Sequence, residues 1–295
     1  MVLKTIFLTR HGFRANWFDE PAPLHPSGLE PPDTPLSAHG LLQAQELSHF
    51  LTPQQPHITR IYSSPWYRCI QTVEPLASAL HVKIIPEPGL GEWYGLNRTD
   101  DPTPATAAEL QNFYAGIEPD HQSLFVPAVT GESIEELYER SAYVLSRLIK
   151  QLDEDPSGPE SVVLCTHAAS LVAFSRVLAG DVPSDPSTQD IIAYTACVTR
   201  FERQSGVPVR VLPMPGAPHR SLQRDWLDER ARGGRWRCVL NGYGGFLSSG
   251  RQRGWRFSGK ESFDHKVQAH GLDAGTGLGV VLPDEGPQGN GVSQL

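Results

Sequence analysis

The chain has 295 residues and a net charge of −8, so no global excess of positive charge draws it to nucleic acid. Its 27 glycines and 26 prolines, beside an apolar share of 39%, leave part of the chain irregular but still allow a sizeable core. The 4 cysteines, Cys69, Cys165, Cys197 and Cys238, have no C-x-x-C spacing, which argues against a structural zinc site and a disulfide framework and reads as reduced intracellular thiols.

The run Val2-Leu3-Lys4-Thr5-Ile6-Phe7-Leu8 predicts a buried first strand over 2–9, too short and too charged at Lys4 for a signal peptide. Its C-terminal end, where open α/β sheets place ligands, carries Arg10-His11-Gly12-Phe13-Arg14. Flanking guanidiniums suit an anion, phosphate in particular, and disfavour protonation of His11, which leaves the imidazole a nucleophile.

A Pro-rich loop over 20–35 precedes a helix that opens at Pro35-Leu36-Ser37, with Leu41, Leu42, Ala44, Leu47 and Leu51 as its apolar or small positions. A second strand over 58–62 ends at Ser63-Ser64-Pro65, and a helix follows through Arg68, Val73, Leu76 and Leu80. That helix start and Arg68 would both attract phosphate. A third strand over 82–85 leads to Glu87-Pro88-Gly89-Leu90-Gly91-Glu92-Trp93. Residues 97–130 read as an insertion capping a cleft, with one helix near 107–114.

Gly131-Glu132-Ser133 starts an amphipathic helix that aligns Ile134, Leu137, Tyr138, Val144, Leu145 and Leu148. A fourth strand over 161–165 ends at Thr166-His167, a helix covers 168–178, and another strand is expected over 191–201. His167 and Arg176 interrupt the apolar stretch 162–178, so no membrane span is expected. Strands and helices that alternate in this way predict an α/β fold: a three-layer, doubly wound, mainly parallel sheet. Beyond, two apolar stretches, 236–240 and 245–247, flank Asn241-Gly242, a strong hairpin signal. The chain past Lys260 is polar and Gly-rich and is expected to be disordered. The expected division is 1–207 for the main domain, 208–259 for a C-terminal extension with the hairpin, and 260–295 for the tail.

Arg10-His11-Gly12, Tyr62-Ser63-Ser64-Pro65 with Arg68, the Glu92 segment and Thr166-His167, in this order, resemble the four motifs of the histidine phosphatase (phosphoglycerate mutase-like) superfamily. The resemblance implies a phosphohydrolase acting through a phosphohistidine on His11. It implies that Arg10, Arg14, Arg68 and His167 bind phosphate and that Glu92 is the general acid, with Glu87 a rival and Asp33 and Glu132 distant ones. Desolvation beside Trp93 and Tyr94 is expected to raise the pKa of Glu92 and keep it protonated. No cofactor and no metal are expected. Arg14 resembles the protein-tyrosine-phosphatase-like branch. Trp17 stands where the sugar mutases carry asparagine, which weakens a mutase reading. Ala168, where the superfamily usually has glycine, would crowd the pocket.

Longer strings resemble a narrower group, the fungal tau fifty-five-kilodalton subunits of the RNA polymerase III factor TFIIIC and related fungal phosphoglycerate-mutase family proteins. These strings are Arg10 to Trp17, Gly91-Glu92-Trp93-Tyr94, Thr166-His167-Ala168-Ala169-Ser170, Leu240-Asn241-Gly242, Phe246-Leu247-Ser248-Ser249-Gly250 and Gly254-Trp255-Arg256-Phe257. This implies two readings: a phosphohydrolase on a phosphomonoester or phosphoprotein, or a weakly active or non-catalytic assembly subunit. In the second, residues 235–257 would form a hairpin that pairs with a second tau subunit, the alternative being that it packs on its own domain. The protein would be nuclear if that resemblance holds and cytoplasmic otherwise, with no direct sequence-specific nucleic-acid binding.

Overall fold

The computed structural model describes residues 2–17, 33–96, 103–215, 227–258 and 279–287. Four strands, β1 (Thr5–Arg10), β2 (Ile58–Ser63), β3 (Ile84–Pro86) and β4 (Ser161–Thr166), pair in parallel in the order β3-β2-β4-β1. Two further strands, β5 (Val198–Gly206) and β6 (Gly234–Tyr243), continue the sheet antiparallel from β1. The fold is thus the expected α/β class with a mainly parallel sheet.

Strand periodicity builds the three layers, because successive side chains leave opposite faces. Ile6, Leu8, Val162 and Leu164 enter one core, with Leu137, Val144 and Leu148 of α4 (Ile134–Glu154) and Leu171 and Phe174 of α5 (Ala168–Ala179). Phe7, Ile61 and Val163 enter the other, against Leu47 and Leu51 of α1 (Ala38–Leu51) and Ile70, Val73 and Leu76 of α2 (Tyr67–Leu80). The helix α4 begins with a capping box between Ser133 and Glu136, and its expected apolar face is buried throughout. On α1 only part of the expected face is covered: Ala44, Leu47 and Leu51 are buried, while Leu41 and Leu42 are exposed. Among the described residues no helix is long and apolar enough to cross a membrane.

Of the insertion, residues 103–130 are described, with one short helix, α3 (Ala107–Gln111), capped by Thr106 and Glu109. It is tied to the sheet edge by Ile84 N–H to Gly116 O (2.8 Å) and Glu118 N–H to Ile84 O (2.8 Å). It reaches α2 through the rings of Phe113 and Tyr114 against Tyr67.

Three local expectations are corrected. The strand expected over 191–201 starts at Val198, because residues before it bond elsewhere: Thr195 N–H to Gln252 O, and Ala196 N–H to Arg10 O with φ +54° at Ala196. Asn241-Gly242 is not a hairpin turn but lies inside β6. Asn241 clamps the preceding loop, accepting from Ile192 N–H (2.9 Å) and donating to Asp190 O (2.8 Å). Gly242, at φ +59°, sits at a register shift between β5 and β6, where a Cβ would lie 2.3 Å from Ile192. The apolar load of 236–257 therefore packs on its own chain: Trp236, Trp255 and Phe257 in the core with α4 and α5, and Phe246 stacked on Phe50 at 4.5 Å. Third, part of the stretch expected to be disordered is ordered, since β8 (Val280–Val281) pairs antiparallel with β7 (Trp255–Arg256) as a small second sheet. The rest of that stretch, like residues 97–102 and most of the loop over 20–35, lies outside the described residues.

Candidate active site

Adjacent parallel strands end level with one another, with Arg10 beside Thr166 and Ser63 beside Cys165. The residues that follow, His11, Ser64 and His167, therefore emerge side by side. Main-chain bonds lock them there: His11 N–H to Thr166 O (3.0 Å) and Ser64 N–H to Cys165 O (2.9 Å). The turn after β1 presses onto α1, where a Cβ on Gly12 would lie 2.9 Å from Gly40 O. Gly12 N–H donates to Thr72 Oγ1 and Phe13 N–H to Gln43 Oε1, both at 2.9 Å.

His11 is buried, and its Nδ1 lies 2.8 Å from Gly12 O. A carbonyl only accepts, so Nδ1 carries the proton and Nε2 keeps the lone pair. Burial, then Arg68, Arg10, His167 and Arg14, hold its pKa well below the ordinary 6.5. In the unfolded chain His11 takes up a proton near pH 6.5 that the folded site refuses, so stability falls as the pH drops through that value. From about pH 7.5 to about pH 5.5 this group alone is expected to lower stability by on the order of 1 kcal/mol. Urea denaturation at both pH values checks this: in His11→Gln that share of the pH dependence should vanish.

Arg10, Arg14 and Arg68 are all buried. Arg10 Nη1 donates to Ala193 O (3.0 Å) and to Arg253 O, and Arg14 Nη2 to Thr34 Oγ1 (3.5 Å). Arg68, in the first turn of α2, lies over the Trp66 ring and is held by Asp33 (3.5 Å) and Glu92 (3.3 Å). His167 caps α5. Its Nδ1 lies 3.1 Å from both Glu92 Oε2 and Arg68 Nη2, and its Nε2 lies 2.8 Å from Ser64 Oγ. The rings of His11 and His167 meet edge on at 5.4 Å.

All six expected site residues thus gather in one place. The charge state of Glu92 is the opposite of that expected. Burial pushes its pKa up, but His167, Arg68 and Arg14 together outweigh burial and hold it far below the usual carboxylate range. Two of its three rivals, Glu87 and Glu132, are occupied elsewhere. Glu87 is buried and accepts from His121 Nε2, Leu124 N–H and Gly89 N–H, each at 2.8 Å, and so braces the insertion. Glu132 pairs with the fully buried Arg140, which also donates to Gly89 O (2.8 Å) and Gly91 O (3.1 Å) next to Glu92. Arg140→Leu should strand the Glu132 carboxylate at a cost of about 3–5 kcal/mol, measured by urea denaturation. Asp33 does reach the site, accepting from Tyr67 N–H (2.6 Å) and pairing with Arg68, as a support for the helix start. Ala168 is the first residue of α5 and is buried, part of the core cluster that α4 and α5 share.

His11, Glu92 and His167 offer ligand atoms within 4.8 Å of one another, a spacing a metal ion could use. Arg68 already donates to the same carboxylate oxygen and lies on the same imidazole, and three guanidiniums surround the trio. The field there favours an anion over a cation.

Sequence reasoning missed Ser64 as a partner of His167, and it missed two residues at the rim. The Trp17 ring lies 5.9 Å from that of His11, with Arg10 and Arg14 each 5.5 Å from its centroid. Arg253 is closer still, at 4.6 Å.

The family model of the histidine phosphatase superfamily (branch 1) matches residues 6–212, and the chain belongs to that superfamily. It is 32% identical to the transcription factor tau 55 kDa subunit of Saccharomyces cerevisiae over 87% of this chain, and it spans 59% of that relative's length. It is also 32% identical to the ecdysteroid-phosphate phosphatase of Drosophila melanogaster over 51% of this chain and 20% of that protein. Among solved structures, the ecdysone phosphate phosphatase of Bombyx mori in complex with tungstate overlays with a TM-score of 0.57 at 20% identity, over 76% of this chain and 99% of that one.

Proposed function

We propose that the protein hydrolyses phosphate monoesters through a phosphohistidine on His11. The carrying observation is a buried imidazole held neutral, with its Nε2 lone pair retained, among three guanidiniums. Nε2 attacks phosphorus and the P–O bond to the leaving group breaks. Arg10, Arg14, Arg68 and His167 take up the charge on the phosphoryl oxygens. Glu92 protonates the leaving oxygen, then accepts a proton from the water that attacks the phosphohistidine. The P–N bond breaks and Nε2 regains its lone pair.

The low pKa of Glu92 comes from its pairing with His167 and Arg68. A phosphate dianion that takes over Arg68 and His167 removes the partners that hold the carboxylate ionised. It also adds negative charge beside it, and both effects favour protonation. Guanidiniums supply the positive charge that metal ions supply in kinases, so the scheme needs no metal. The test is release of inorganic phosphate from an aryl phosphate in the presence of a chelator. Turnover that vanadate inhibits and the chelator does not is expected; turnover that the chelator abolishes would contradict the scheme.

A second reading, a tau-subunit-like component of TFIIIC and hence a nuclear protein, is supported by the length of the similarity to the yeast subunit, which exceeds the superfamily match. On that reading a second tau subunit would meet the C-terminal region. The outer edge of β6, which ends the sheet order, suits strand addition better than the hairpin first expected. The two readings are compatible.

A further inference from the structure

We infer that Arg253 is a specificity-determining residue of this site. The substrate is then a phosphomonoester whose leaving group carries a second negative charge, a carboxylate or another phosphate. The inference rests on the phosphatase reading above.

Arg253 stands far from the motifs in sequence, yet its carbonyl accepts from Arg10 and its guanidinium lies over the ring of Trp17. Its main chain sits at φ +53°, a left-handed conformation that a non-glycine residue adopts at a cost and keeps only where the surroundings impose it. Three sets of bonds impose it here. Its N–H donates to Asp284 Oδ1 (2.8 Å), and its carbonyl accepts from Arg10 Nη1. The preceding Gln252 carbonyl accepts from Thr195 N–H and Oγ1, each at 3.1 Å. The Gln252 side chain meets His39 and Gln43, the latter also holding Phe13 N–H in the turn after His11.

This bracing sets the guanidinium 4.6 Å from the centroid of Trp17, the indole that borders His11. Arg10 and Arg14 approach the same ring but are buried, whereas Arg253 is half-buried and so lies on the outer side. A transferring phosphoryl group has three equatorial oxygens. Arg10, Arg14, Arg68 and His167 already serve them, so a further guanidinium one ring away is placed for charge on the rest of the substrate.

The test compares phenyl phosphate with 4-carboxyphenyl phosphate, which differ by one carboxylate. Binding is measured by calorimetry on His11→Ala, so that the comparison does not depend on turnover, and kcat/KM is measured on the wild-type chain. The carboxylated ester should be preferred about tenfold, the scale of a charge-assisted hydrogen bond in a partly dry site. Arg253→Asn, a residue that tolerates the left-handed backbone, should reduce the ratio to about one, and Arg253→Lys should keep most of it. Equal binding of the two esters, or a ratio that survives Arg253→Asn because both weaken alike, would overturn the inference and leave Arg253 a brace for Trp17. Absence of wild-type turnover would count against the phosphatase reading, and the binding ratio would still decide the role of Arg253.

Discussion

His11→Ala is expected to lower phosphate ester hydrolysis by roughly 10⁴-fold or more, the scale on which loss of a covalent nucleophile is felt. No neighbour can replace it. His167 is the only other imidazole at the site among the described residues, and its two nitrogens are engaged by Ser64 on one side and by Glu92 and Arg68 on the other. Cys69 lies 3.5 Å from His167 Nε2, but burial, with the Cys165 contact, pushes its thiol well above the ordinary range, so it supplies no thiolate. The variant should fold, because the main-chain bonds of the turn, from Thr166, Thr72 and Gln43, do not use the imidazole. Steady-state release of phosphate checks the prediction. A loss of less than about tenfold would mean that His11 is not the attacking group.

Glu92→Gln is expected to slow hydrolysis of alkyl and protein phosphates by about 10²-fold or more. The burst release of nitrophenol from an activated ester should be affected much less, because that leaving group departs without a proton, while the later loss of phosphate from His11 is slowed alike for every ester. The contrast matters because Glu92 also pairs with Arg68 and His167. A purely structural role would predict equal losses in the first, phosphoryl-transfer step on both esters, since a disturbed Arg68 weakens phosphate binding whatever the leaving group. The glutamine keeps an acceptor for Arg68, so the arginine should stay in place and isolate the proton.

Much of the parallel sheet and the four site segments was legible from local patterns, because strand ends, helix starts and the Arg-His-Gly spacing are short-range signals. The failures are long-range. Asn241-Gly242 carries a strong turn signal, yet its side chain and its left-handed glycine are spent on the loop at 190–192. The residues before Val198 have strand-like composition, but Ala196 turns at φ +54° to reach the last residue of β1, Arg10, and Thr195 bonds to Gln252, so the ladder stops there. The sign of the Glu92 shift was misread because its aromatic neighbours are adjacent in sequence, whereas Arg68 and His167 are not. Arg253 had no local signal at all, and Trp17 was visible only as a departure from asparagine. Their meeting depends on the C-terminal segment folding back over the first turn.

The most direct measurement is to trap the covalent intermediate. Glu92→Gln, mixed with an activated aryl phosphate and quenched in alkali within the first turnovers, should carry one phosphoryl group. That group should be stable to base, labile to acid and mapped by mass spectrometry to the peptide containing His11. Phosphate on any other residue, or burst-free turnover with no phosphorylated protein at any quench time, would contradict the account.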